Sequence, residues 1–193
     1  MNKLHVITLV FLLSSVLFNN TFAVDNQLKS TSKNQLLNEY NLIGSGLMKV
    51  MFWEVYQAEF YVKPPVNQQS FDNVDHNNVF PQALKINYLR DIDKEDLVDA
   101  TEDQWQHLKM ESTKQTQWLK RLMTIFPNIK KGNSITLIVD KNKVSTFYVS
   151  DSQSINRKLG IVEDVEFGPA FLAIWLSKDT SRPVLRRKLL GEQ

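Results

Sequence analysis

Few side chains in this sequence are equipped to act as nucleophile, base or metal ligand. There is no cysteine among 193 residues, so thiolate chemistry, disulfides and cysteine metal sites are excluded. His5 lies in an apolar N-terminal segment. His76 sits near Asp72 and Asp75 in residues 66–81, a stretch rich in Asn, Gln and Asp. A metal site there is one reading. A solvated loop is the simpler one, because such a composition supplies these residues anyway. His107 stands one residue away from a helical apolar stripe and reads as a surface residue. No GxSxG, HExxH or P-loop pattern occurs, the spacing of Ser, His and Asp points to no triad, and no cofactor motif is present. What remains is polar groups on apolar faces. Tyr56 alternates with the core side of a strand, so its hydroxyl needs a partner, either structural or ligand. Arg90 extends the face of Leu84, Ile86 and Tyr88. It either points into the end of a cleft or caps its strand and pairs with Asp91 or Asp93, and the second is the simpler reading.

The elements that must hold these groups centre on residues 44–62, GSGLMKVMFWEVYQAEFYV. Two glycines flanking a serine suit a tight turn or a close backbone approach. Two strand-like segments follow. In the second, Tyr56, Ala58, Phe60 and Val62 alternate with Gln57 and Glu59, a period of two with one core face. In the first, Leu47, Lys49, Met51 and Trp53 share one face and Met48, Val50 and Phe52 the other. Residues 35–43 supply a candidate earlier strand, and Pro64-Pro65 ends the pair. Residues 83–89 form a strand with Leu84, Ile86 and Tyr88 on one face. Asp93 is a candidate helix N-cap, followed by a stripe of Leu97, Thr101, Trp105 and Leu108. Ser112 and Gln115 have capping-box spacing for a second helix, which buries Trp118, Leu122, Ile125 and Phe126 and closes at Pro127. Strands follow at 135–140 and 144–149 around a short polar turn, with a third at 155–159 ending at Gly160. Residues 164–176 make a helix with Phe167, Phe171, Ile174 and Trp175 on one face. Residues 182–190 make a basic C-terminal helix that packs Leu185, Leu189 and Leu190 and exposes Arg186, Arg187 and Lys188. Strands first, then helices, a hairpin and two more helices suit an α+β domain.

With 42% hydrophobic and 23% charged residues, the chain can build one domain with a sizeable core. The formal net charge of +2 is too small to imply nucleic acid or an anionic membrane surface as partner. Lys3, the apolar run 6–18 and Thr21-Phe22-Ala23 read as a secretory signal peptide over residues 1–23. The run is shorter than the roughly 18 to 20 residues of a spanning helix, so no membrane span is expected once it is removed. Localisation is then periplasmic or extracellular, with a flexible segment at 24–34 and the domain at 35–193.

Gly-Ser-Gly-Leu at 44–47, Lys49, and Val-Tyr-x-Ala-x-x-Tyr at 55–61 resemble the opening of the bacterial chalcone isomerase-like family. Ala-Leu-Lys-Ile-Asn-Tyr-Leu-Arg-Asp at 83–91, Lys-Lys-Gly-Asn at 130–133, Ala-Ile-Trp-Leu at 173–176 and Lys-Leu-Leu-Gly at 188–191 continue the resemblance in order. It implies a curved antiparallel sheet covered on one face by helices, with a ligand cleft between the layers. Matched to that pattern, Met48 and Tyr56 are candidate ligand-binding positions, and the strand faces they share or adjoin add Phe60, Tyr88 and Arg90. The chain departs from the family pattern where function sits. The family's arginine falls at Met48, and the threonine that true chalcone isomerases use falls at Tyr56. A glycine is replaced by Glu59, and the Trp-Leu-Gly signature ends in Ser177.

The resemblance implies that in the family's fatty-acid-binding branch this arginine and a tyrosine hold a carboxylate, so its loss removes the bidentate grip on an acid. Lys49 faces the other way unless a bulge intervenes. The expectation is therefore a non-catalytic exported protein that holds a neutral or weakly polar, apolar or amphipathic small molecule, with Tyr56 as hydrogen-bond donor. The alternative is an interaction or structural protein with a filled cleft; an intramolecular lyase or isomerase has the least support. A contiguous apolar cavity of about 300 Å3 or more favours the carrier, and a filled core with an exposed apolar patch favours the interaction protein.

Overall fold

The computed structural model describes residues 35–64, 79–151 and 156–192. The expected signal segment 1–23, residues 24–34 and residues 66–78 of the expected His76 loop lie outside the described residues. The sheet is six-stranded and antiparallel throughout, in the order β1 to β6: Asn41–Val50, Trp53–Val62, Gln82–Tyr88, Ser134–Val139, Ser145–Ser150 and Arg157–Val162. The helices are α1 Lys94–His107, α2 Gln115–Ile125, α3 Phe167–Leu176 and α4 Pro183–Leu189.

Cross-strand pairing lines up rows of inward-facing side chains. One row runs Gly44, Phe60, Leu84, Leu137, Phe147, Gly160, and the next runs Val62, Gln82, Val139, Ser145, Val162. Both are buried through their middles, as alternation requires of one face of a sheet. Glycines end the first row because helices press closest there. A Cβ on Gly44 would lie 2.1 Å from the Lys188 carbonyl oxygen at the end of α4, and one on Gly160 would lie 2.8 Å from Ile125 of α2. The glycine pair of the sequence thus serves close approach, within one continuous strand.

The helical layer is joined to the sheet by aromatic edges. Trp105 of α1 and Trp118 of α2 meet Phe167 of α3, which meets Phe147 of β5 at 6.0 Å between centroids. The Trp105 ring N–H donates to the Ala170 carbonyl at 3.0 Å, and that of Trp118 donates to the Asp164 carboxylate at 3.2 Å. Lys114 also pairs with Asp164, at 3.1 Å. Both tryptophans are core residues with satisfied donors, as their stripes indicate.

Several local expectations change. Residues 35–43 form a 3-10 turn, Gln35–Leu37, and then merge into β1. Met51 and Phe52 are a two-residue turn, so the face alternation of the first segment stops at Val50. Asp93 precedes α1 without a side-chain cap bond; the Asn128 side chain accepts from the Lys94 N–H at 3.0 Å instead. Gln115 donates to the Met110 carbonyl, so no capping box forms with Ser112. The last strand runs through Gly160 to Val162. The final helix in the 164–176 segment starts at Phe167, which puts Pro169 in its first turn, where a missing N–H is harmless. Arg186 is not solvated: its Nε donates to the Leu176 carbonyl at 2.9 Å, tying α4 to the end of α3.

Candidate functional site

The two layers do not close completely. Between them lies a cavity of about 310 Å3. Its floor is the inward face of the sheet at Leu84, Ile86, Leu137 and Phe147, and its roof is Leu97 of α1 with Phe171 and Ile174 of α3. Val50, Asp96, Ala100 and Arg182 also line it and are exposed, so they mark its mouth. The cleft is therefore not filled.

The sequence-predicted ligand positions divide. Met48, Tyr56 and Tyr88 lie together on one row, paired Met48 to Tyr56 and Tyr56 to Tyr88, and all three line the cavity. Phe60 is one row beyond Ala58, fully buried in the packed core and not part of the lining. Arg90 is exposed outside the cavity, its guanidinium 5.5 Å from the Trp53 ring centre. It pairs with neither Asp91 nor Asp93; Asp91 is held by Lys130 at 2.8 Å. A register shift does fall between Met48 and Lys49, yet Lys49 stays outside, paired with Glu54 at 2.9 Å.

Tyr56 is the polar centre. Its oxygen accepts from the Trp175 ring N–H at 2.9 Å. Its own O–H has no acceptor among the described residues and is left for a ligand. The Tyr88 ring meets Tyr56 edge-on at 6.2 Å, and its hydroxyl likewise has no partner among the described residues. Burial pushes the Tyr56 hydroxyl up from its ordinary pKa, against the smaller opposing effects of the Trp175 bond and the Arg182 charge. Burial, and next the neighbouring Tyr56, push Tyr88 well above the ordinary tyrosine range. Both stay protonated at neutral pH and serve as hydrogen-bond donors, not as bases. The lining holds no histidine and no lysine.

Arg182 is the residue that sequence reasoning missed. The expected helix 182–190 includes it, but it precedes Pro183, and the residue before a proline is kept out of the helical conformation. Its backbone, φ −129° and ψ 62°, is accordingly non-helical and belongs to the loop between α3 and α4. The Ser-Arg-Pro sequence was the available signal. From that loop Arg182 reaches the cavity with no ion pair or hydrogen-bond acceptor for its guanidinium among the described residues. Beside it, Ser181 donates to the Gln104 side chain, which also lines the cavity. The expectation of a cavity without a cation is thus corrected: position 48 carries none, but position 182 does.

An open antiparallel sheet with helices on one face and an apolar cavity between the two layers defines an α+β domain. The chain belongs to the chalcone isomerase-like family, whose model matches residues 20–191. Its fold is similar to the crystal structure of a fatty-acid-binding protein from Arabidopsis thaliana, with a TM-score of 0.58 and 14% identity, over 80% of this chain and 88% of that one. No curated protein matches the sequence.

Proposed function

We propose that the protein is an exported, non-catalytic carrier of a small amphiphile, with the apolar part in the cavity and the polar end at Arg182 and Tyr56. The observation that carries this is the cavity itself: about 310 Å3, walled mainly by aliphatic and aromatic side chains, with Tyr56, Tyr88 and Arg182 among its polar lining. That size lies at the lower end of ligand sites, roughly 300–1,000 Å3. A fatty-acid-binding protein of the same fold supports the ligand class. Arg182 extends the reading to anions, because a carboxylate leaving water needs a cation or several donors to offset lost hydration.

A paired calorimetric titration with a medium-chain fatty acid and its methyl ester tests this. The acid is expected to bind more tightly, and Arg182→Gln is expected to lower acid affinity by at least about tenfold while leaving the ester within about twofold, as for one charge-assisted hydrogen bond of about 1.5–3 kcal/mol. Met48→Arg is expected to raise acid affinity further. Failure of both compounds to bind sinks the carrier reading.

The export half of the proposal rests on the n-region, short apolar run and Thr21-Phe22-Ala23 of the sequence. N-terminal sequencing of protein recovered from cells is expected to begin near Val24. An intact N-terminus in the membrane fraction overturns it.

A further inference from the structure

The turn between β1 and β2 contradicts the usual rule for hairpin tips. Such two-residue turns ordinarily use glycine or asparagine where φ is positive. Here Met51 has φ 53°, a left-handed conformation costly for a bulky side chain. The residues around it are apolar and turned to solvent: Met51 is 83% exposed, Phe52 92% and Trp53 65%, with Val50 at 44%. Surface hydrophobes scattered singly need no explanation, but consecutive ones at a protruding tip do.

Two observations say what covers this tip. First, it is continuous with the cavity. Val50 belongs to both the tip and the cavity mouth, and Val55, just beyond on β2, also lines the cavity. Second, a cation stands at its base. The Arg90 guanidinium lies over the Trp53 ring at 5.5 Å, and Arg182 lies at the cavity mouth. Apolar side chains at the end, then an amphipathic indole, then a guanidinium, is the order in which a bilayer presents acyl chains, interface and phosphates. A second copy of the chain fits poorly, because a stable dimer buries roughly 800 Å2 per partner over about 20–30 residues, and a narrow hairpin tip presents far less.

We propose that the turn at residues 50–53 inserts into the surface of a phospholipid bilayer and brings the cavity mouth against it. Ligand then passes between membrane and cavity without crossing water. The docking stands independently of the carrier reading; only the ligand exchange rests on it. The small net charge gives no long-range pull, so recognition is local and apolar, and phosphate contacts at Arg90 set the depth.

The test uses protein recovered from cells expressing the full-length gene, mixed with vesicles of phosphatidylcholine and with the same vesicles made from lipid brominated on the acyl chains. Trp105 and Trp118 are buried and Trp175 lines the cavity, so the part of the acyl-chain quenching that Trp53→Phe removes reports Trp53. Expected are quenching of wild-type emission, loss of most of it in Trp53→Phe with vesicle binding retained, and at least about tenfold weaker partition for Phe52→Asp. That fold-change follows from removing one buried aromatic side chain. Phe52→Asp in vesicle-free titration is expected to keep its ligand affinity, which separates docking from carrying. Unquenched Trp53, or partition unchanged by Phe52→Asp, overturns the proposal. So does a concentration-dependent dimer in vesicle-free solution that Phe52→Asp abolishes, since the tip then belongs to a second copy.

Discussion

Phe60→Ala is expected to lower stability by about 3–5 kcal/mol, and Gln57→Ala to change it by about 0.5 kcal/mol or less. Phe60 is fully buried on β2, flanked by Gly44 on one strand and Leu84 on the other. Its removal empties a fully buried place in an inward row whose ends are pinned by α4 and α2, so the surroundings have little room to collapse. Gln57 lies on the same strand but the opposite face, only partly buried. A loss of this size is a large part of the roughly 5–15 kcal/mol that holds an ordinary domain together. Urea denaturation of the two variants measures it through the shift in midpoint at constant slope. Similar, small losses from both would mean that the strand register is wrong. Because Phe60 does not line the cavity, ligand affinity in the folded Phe60→Ala protein is expected to stay near that of the wild type.

The second large effect is at Gly44, and it reaches the site. A methyl group there would lie 2.1 Å from the Lys188 carbonyl oxygen, 2.7 Å from that of Leu189 and 2.9 Å from the Gly191 N–H nitrogen. All of these atoms are backbone, so no rotamer change relieves the contact. Gly44→Ala therefore forces α4 off the sheet or costs at the upper end of the roughly 1–3 kcal/mol typical of overpacking. Gly46→Ala is the control. There the nearest atom is the end of the Leu185 side chain, at 2.6 Å, which can swing away. Amide hydrogen exchange is expected to show lost protection in α4 for Gly44→Ala and much less for Gly46→Ala. Arg182 sits just ahead of α4, so the Gly44 variant also loses acid affinity without any change inside the cavity. Full protection of α4 in Gly44→Ala would show that the helix is not seated as described.

The sequence by itself determined which residues turn inward. Alternation on β2 and β3 placed Tyr56, Ala58, Phe60, Leu84, Ile86 and Tyr88 on one face, and helical spacing placed Trp105, Trp118, Leu122 and Phe171 opposite them. These patterns follow from the 2.0 and 3.6 residue periods, which are local properties of the backbone. Absence of cysteine and of catalytic motifs was equally a matter of reading. The tertiary structure decided which inward residues are packed and which face open space. Phe60 and Tyr56 belong to the same periodic set, yet only Tyr56 meets the cavity. No single-strand pattern encodes that, because the cavity exists only where α1 and α3 stand off the sheet.

The cation shows the same division more sharply. Met48 stands where the resemblance implies the family's arginine, and Lys49 and Arg90 are the nearby alternatives in sequence. Both are held outside, one by Glu54 and the other over Trp53. Arg182 is 126 residues further from Tyr56 along the chain and reaches the cavity because Arg186 and Leu185 fasten α4 beside the end of α3 and the first strand. Local sequence fixes that Arg182 is not helical, through Pro183. Only the closure of distant segments brings its charge to the tyrosine, since proximity across such a loop is set by the packing of whole elements and not by spacing along the chain.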